Sequence, residues 1–197
     1  MDADYSVELG PGDPSLELPW RSDDGALQYH DLKRHPELLL YVDEANRYPE
    51  LARFLSSVNS FTSIFATAKC DVWAEGELSE AEEIYGAPLK FGGYVDLLLE
   101  DGCAMRNDFE GHERLSRRAV ELLAKAPEIS AAAEFIIRRC YFQESGDAAA
   151  GYYWTAYIFG YGDDERDARK RWAIALEVVQ NALLQVSAET RRAQAGK

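Results

Sequence analysis

The chain has 197 residues, of which 47% are hydrophobic and 28% are charged, and 35 acidic against 21 basic residues leave a formal net charge of -14. A length of about 100 to 200 residues suits one domain, and this composition is that of a folded globular protein rather than a disordered one. The acidic charge argues against binding to nucleic-acid phosphates and to anionic membranes, because both depend on Lys and Arg side chains.

Cysteine usage and hydropathy favour a cytoplasmic protein. Cys70, Cys103 and Cys140 lie far apart, so none forms the Cys-x-x-Cys pattern of zinc or redox sites, and an odd number favours a reducing compartment. The N-terminus carries acids where a signal peptide has bases, and no apolar run reaches the roughly 18 residues of a membrane span. We therefore expect a soluble, cytosolic protein.

The first 26 residues combine acidic side chains with three prolines and three glycines. This composition predicts a loosely ordered acidic N-terminal arm over residues 1–26. Within it, Leu16, Leu18 and Trp20 are the residues that could attach to the domain as a short extended piece. Residues 27–197 are expected to form a single α+β domain.

Two short helices and a pair of strands are predicted next. Pro36 and Pro49 each suit the first position of a helix, and each is followed by a glutamate that favours a helix N-terminus. Alternating apolar residues then predict strands over residues 64–73 and 89–99, joined by a connector with a capping-box pattern from Ser79 to Glu82. The short connection predicts an antiparallel pair.

The second half of the chain alternates between the two patterns. A helix is predicted from Asn107 or Asp108 to the residue before Pro127, and an apolar stripe over residues 128–144 predicts another. Residues 152–161 predict a strand, and residues 163–192 predict a long C-terminal helix with acids in its first turn and arginines in its last. The order favours an α+β fold with a small antiparallel sheet of about three or more strands, packed with helices.

The run "YYWTAYIFGY" from Tyr152 to Tyr161 is the most conspicuous feature of the sequence. In a strand, Tyr153 and Tyr157 point to one face and Trp154 to the other, as in a central strand covered on both sides. The alternative is the wall of a pocket for a small apolar ligand, with these three residues as its candidate binding residues. A nucleic-acid platform is excluded, because acids and no bases surround the run.

Three residues are candidates for acid–base chemistry. Asp71 and Asp96 lie on the two predicted strands among apolar neighbours, so burial and mutual proximity could raise one pKa, although Lys69 offers a simple ion pair instead. His112 follows Asp108 by one helical turn and could act as an oriented base, although a surface imidazole fits as well. The sequence contains no zinc helix, phosphate loop or nucleophile elbow, so neither a metal nor a cofactor is predicted.

These observations predict a binding or interaction module, because no reactive constellation is visible. Its ligand would be a small apolar molecule or a protein partner, and neither nucleic acid nor a membrane is expected. The sequence leaves a homo-oligomer open. The alternative function is a hydrolase or lyase that uses Asp71, Asp96 and His112, with metal assistance conceivable.

Overall fold

The computed structural model describes residues 1–76, 85–144 and 147–196. A 3₁₀ helix spans Pro36–Tyr41. The other elements, in chain order, are β1 (Asp2–Val7), β2 (Ser15–Leu18), α1 (Asp43–Arg47), α2 (Pro49–Val58), β3 (Phe65–Gly76), β4 (Leu89–Leu99), α3 (Phe109–Leu123), β5 (Ala131–Glu144), β6 (Asp147–Gly162) and α4 (Glu165–Ala195). The predicted α+β class and the long C-terminal helix are confirmed. The predicted capping box lies outside the described residues.

The strands form one six-stranded mixed sheet in the order β1-β5-β6-β4-β3, with β2 also paired to β5. The pairing of β3 with β4 is antiparallel, as predicted, and so are the pairings of β4 and β5 with β6. The aromatic run therefore lies in the central strand. The sheet is larger than expected because β1 and β2 join it, both parallel to β5.

The helix predicted over residues 128–144 is wrong, because residues from Ala131 onward form β5. The apolar residues of this segment fit a helical stripe, but Phe135 and Ile137 also alternate with Glu134 and Arg138 at the period of a strand. Neighbours on both sides decide between the two patterns, since β5 pairs with β6 along its whole length and with β1 and β2 on its other edge. Tertiary pairing overrides the local pattern here.

The segment predicted as a loosely ordered arm supplies β1 and β2. Their register places Asp2 opposite Ala132 and Leu16 opposite Cys140. Leu16 and Leu18 are buried in a small apolar cluster on the sheet, against which Trp20 packs. Backbone pairing with a distant strand, which composition does not reveal, therefore orders these acidic residues.

All three longer helices, α2, α3 and α4, pack on the same face of the sheet and bury the main core with it. The centre of the contact is α4 against β6, where Trp172 is 2% exposed and Gly160 lies directly beneath the helix backbone. The Asp164 side chain caps α4 by accepting a hydrogen bond from the Asp167 amide at 2.8 Å. Among the described residues, no helix combines the length and the apolar character that crossing a bilayer requires.

Replacing Gly160 with alanine should destabilise the fold by at least about 2 kcal/mol, because a clash with backbone cannot be relieved by a rotamer change. A Cβ at this position would lie 2.2 Å from the Trp172 backbone nitrogen and 2.3 Å from the Ala168 carbonyl oxygen. Gly12→Ala is the matched control, since its Cβ would meet nothing within 4 Å. Denaturant unfolding followed by tryptophan fluorescence measures both, and equal midpoints would contradict this account of the helix–sheet contact.

Candidate functional site

The sheet face opposite the helices, here called the open face, carries the candidate site. Every second residue of β6 points to the open face. Of these, Tyr153 and Thr155 are buried, while Tyr157 and Phe159 are half-buried. The N-terminal cluster around Leu16 covers one end of this face. At another part of this face the ring of Tyr85, from the connection between β3 and β4, lies 5.2 Å from the ring of Tyr161. Between these two places the face carries side chains of β3, β4, β5 and β6.

A cross-strand row of five residues runs over the open face. The strand registers place Asp71 of β3 opposite Tyr94, Tyr94 opposite Tyr157, Tyr157 opposite Glu134 and Glu134 opposite Asp4. The two tyrosine rings are 5.9 Å apart and half-buried, whereas the three carboxylate residues are exposed. Two central phenols thus lie between carboxylates on both sides.

Two more aromatic rings, those of Trp73 and Phe159, lie beside this row on the open face. Trp73 contacts Phe159 edge to face at 5.8 Å, and Phe159 stacks on Tyr157 at 6.3 Å. Gly92 lies between Trp73 and Phe159 in the pairing register, and the absence of a side chain there lets the two rings meet. We call the half-buried group Trp73, Tyr94, Tyr157 and Phe159 the aromatic patch.

A buried chain of polar side chains borders the aromatic patch. Thr155 Oγ1 donates a hydrogen bond to Asp96 Oδ1 at 2.8 Å, and Arg138 Nη1 donates to Thr155 Oγ1 at 2.8 Å. The Arg138 guanidinium also binds Glu8, with Nε 2.8 Å from Oε2 and Nη2 2.7 Å from the same oxygen. Tyr157 lies beside Arg138, so this chain adjoins the aromatic patch.

Asp96 lies opposite a β-bulge. The register of β3 against β4 shifts between Thr67 and Cys70, so two residues of β3, Ala68 and Lys69, face the single residue Asp96. Asp96 is 5% exposed, and this burial raises the pKa of its carboxyl to about 6, although the Thr155 hydrogen bond and the nearby Lys69 charge act in the opposite direction. The side chain can therefore exchange a proton near neutral pH.

The structure divides the sequence-predicted residues between the two faces. Four of them lie on the open face, namely Asp71, Asp96, Tyr153 and Tyr157. Burial raises the pKa of the neighbouring Tyr94 phenol, and the charges of Asp96 and Asp71 raise it further. Trp154 lies on the helix-covered face with 1% exposure, packed against Phe65, Phe135 and His112. The three predicted binding residues therefore do not share one surface.

His112 is fully buried on α3 against Trp154, on the face of the sheet opposite to Asp96. Its Nε2 lies 3.1 Å from the Arg106 carbonyl oxygen, and its Nδ1 has no hydrogen-bond partner among the described residues. Burial lowers the pKa of the imidazole from 6.5 to about 4, and the Arg106 carbonyl and Asp108 reduce that effect. The structure therefore does not combine His112 with the two aspartates.

Sequence reasoning missed Arg138, Glu8 and the other members of the aromatic patch. The sequence pattern places Arg138 in a predicted helix and Glu8 in the predicted loosely ordered arm. The signal that could have found Arg138 is the period-two alternation within residues 131–142, which places it on the same face as Glu134. Within the described parts of the chain, no group of three or more His, Cys, Asp and Glu side chains is arranged to hold a metal ion.

Comparison with known proteins finds no matching family model, no matching curated protein and no matching solved structure. The chemistry of this chain's own side chains therefore has to carry any functional inference.

Replacing Asp96 with asparagine should make folding stability less dependent on pH. The folded protein binds the Asp96 proton more tightly than the unfolded chain does. The free-energy cost of burying the Asp96 carboxylate therefore does not affect wild-type stability below pH 3.8, and it lowers that stability in full above about pH 6. At about 1.4 kcal/mol per pKa unit, the variant should gain on the order of 3 kcal/mol relative to wild type between pH 4 and pH 7. Urea unfolding across that range measures it, and a constant difference would refute the assignment.

His112→Gln should show the opposite trend. Because the folded pKa lies below the unfolded value, wild type loses stability as the pH falls from 6.5 through about 4, and the variant lacks this loss. The variant should be less stable than wild type at pH 7, and the difference should shrink by on the order of 3 kcal/mol at pH 4. The same urea titration detects it. A gap that stays the same at both pH values would mean that the imidazole is not buried in its neutral form.

Proposed function

We propose that this chain is a protein-binding module whose open face docks a basic protein surface. The observation that carries the proposal is the row in which Tyr94 and Tyr157 lie between Asp71 on one side and Glu134 and Asp4 on the other. Aromatic side chains are enriched at the centres of protein interfaces, and charged groups surround them. This row has the same arrangement.

The aromatic patch suits recognition because its rings are held in place before binding. Each ring contacts at least one other member at 5.8 to 6.4 Å, so little side-chain freedom remains to be lost. The Lys90 ammonium lies 4.9 Å from the Phe159 centroid and supports the patch as a cation–π partner. The rings are half-buried, so a partner still has aromatic surface to cover.

The charge on the open face selects the kind of partner. Asp71, Glu134 and Asp4 are exposed, whereas Lys90 is 8% exposed and Arg138 is 9% exposed and paired with Glu8. Lys90 and Arg138 are thus covered and Lys69 is half-buried against the Trp20 ring, whereas the three carboxylates reach solvent in a chain whose net charge is -14. Arg and Lys side chains of a partner would pair with the carboxylates and stack on the rings.

Asp96 favours a second candidate function, the hydrolase or lyase predicted from the sequence. A carboxyl with a pKa of about 6 is suited to general acid–base chemistry, and the exposed Asp71 shares its face. His112 does not belong to this constellation. If a turnover is found, loss of that turnover in both Asp96→Asn and Asp71→Asn would favour the enzyme over the docking face.

Partner capture from a lysate of the source organism tests the docking face. Trp73→Ala and Tyr157→Ala should each weaken binding of the captured partner by about 2 kcal/mol, roughly 30-fold in Kd, as truncation of a central interface residue does. Glu134→Lys, an exposed site, should weaken it by charge reversal without affecting the fold. Titration of each purified variant with the identified partner, in low and high salt, measures these effects.

Phe61→Ala is the matched control, because Phe61 is 91% exposed in the connection between α2 and β3, away from the open face. Thermal unfolding of every variant separates loss of binding from loss of fold. A captured partner that binds all variants equally, or whose binding is indifferent to salt, would show that the open face is not the docking surface.

A further inference from the structure

A cavity of about 690 Å³ lies at the free edge of β3, away from the aromatic strand β6. Its volume is within the range of about 300 to 1,000 Å³ that is typical of small-molecule sites. Its walls include the large aliphatic and aromatic side chains of Trp20, Leu27, Tyr29, Leu32, Leu38, Tyr41, Val42 and Leu55. The cavity is thus bounded by the segment from Trp20 to Leu32, the 3₁₀ helix, α1, α2 and the bulged part of β3.

The mouth of this cavity exposes apolar surface. Leu27 is 60% exposed and Tyr41 is 70% exposed, and Leu40, the chain neighbour of Tyr41, is 73% exposed. Large apolar side chains grouped at one opening are uncommon on a protein surface and mark binding sites. A ligand with an apolar body would remove Leu27 and Tyr41 from water.

The charged groups in the lining are two carboxylates and one ammonium. Among the described residues, none donates a hydrogen bond or forms an ion pair to the carboxylates of Asp43 and Glu44. The Lys69 ammonium instead lies 4.8 Å from the centroid of the Trp20 ring, whose Nε1 donates to the Ala68 carbonyl at 3.0 Å. The contact places the ammonium at the Trp20 ring without neutralising it, and with two carboxylates against one ammonium the lining carries more negative than positive charge.

The negative charge of Glu44 acts on Cys70, a residue of β3 in the cavity wall. Burial raises the pKa of the Cys70 thiol to about 12, and the Glu44 charge is the largest electrostatic contribution in the same direction. Cys70 also lines the cavity. Because its pKa is raised, the thiol is protonated at neutral pH and adds no charge to the lining. The Glu44 charge would repel an anionic ligand and attract a cationic one.

We propose that this cavity binds an organic cation, a small molecule with an apolar or aromatic body and a protonated amine. The body would lie among Leu27, Leu38 and Tyr41, and the amine would pair with Glu44 and Asp43. Aromatic walls also favour a cationic ligand, because the faces of Tyr and Trp rings attract positive charge. The cavity shares no residue with the aromatic patch, and neither proposal depends on the other.

Three matched probes test the ligand class by isothermal titration calorimetry: a naphthyl-hexylamine, the corresponding alcohol and the corresponding carboxylic acid. The amine should bind at least about tenfold more tightly than the alcohol, and the acid should bind more weakly than both. Tighter or equal binding of the acid would overturn the proposal, and so would the absence of binding by all three probes.

Two variants locate the site. Glu44→Gln should weaken the amine about tenfold and leave the alcohol unchanged, whereas Leu27→Ala should weaken both alike. Glu37→Gln is the matched control, since Glu37 is exposed on the 3₁₀ helix and is not part of the lining. Unchanged amine affinity in Glu44→Gln would refute the pairing. Tyr157→Ala should bind the amine like wild type, which separates this site from the open face.

Discussion

The close backbone contact between α4 and β6 sets the layout of the molecule. Gly160 and Gly162 lack the Cβ atoms that would collide with the backbone of α4, so the longest helix lies directly on the central strand. With α4 there, α2 and α3 pack beside it on the same face and bury the large apolar side chains of the sheet. None of the three longer helices in the described parts of the chain lies on the opposite face, where polar side chains pair with one another.

The two faces satisfy their buried polar groups in different ways. On the open face, Thr155 and Arg138 link Asp96 to Glu8 through hydrogen bonds, so a buried carboxylate has a donor and a nearby cation. On the helix-covered face, His112 lies among aromatic rings with one ring nitrogen bonded to a carbonyl. As the pH falls, the buried Asp96 carboxylate becomes neutral and the buried His112 imidazole becomes charged. Their opposite contributions offset one another between about pH 4 and pH 6.

Local sequence patterns were sufficient for the parts of the fold that are stabilised locally. The antiparallel hairpin of β3 and β4, the central aromatic strand and α4 follow from periodicity, short connections and capping residues. The identity of β5 could not be obtained in this way, because its apolar residues satisfy the helical and the extended period equally well. The polar chain that includes Arg138 depends on β5 being a strand, so the absence of Arg138 from the predicted site follows from that ambiguity, and the absence of Glu8 follows from the expectation of a loosely ordered arm.

The aromatic run illustrates the same limit at the level of function. Alternation correctly separates Tyr153 and Tyr157 from Trp154, but it does not tell which face the helices cover. Only the three-dimensional arrangement shows that Trp154 belongs to the core, while Tyr157 joins Tyr94, Glu134 and Asp71 in one row. The partners in this row come from strands that are distant in sequence, and a single sequence contains no direct record of such pairings.

The parallel pairing of β1 with β5 has a consequence for how the chain is made. Asp2 and Val7 align with Ala132 and Ile137, so β1 leaves the ribosome long before its partner strand β5 is made. Until then its backbone amides and carbonyls remain open to other extended segments. The acidic side chains of this strand alternate along it, and their mutual repulsion disfavours pairing between two nascent copies. The N-terminal acids thus protect an edge that is completed late.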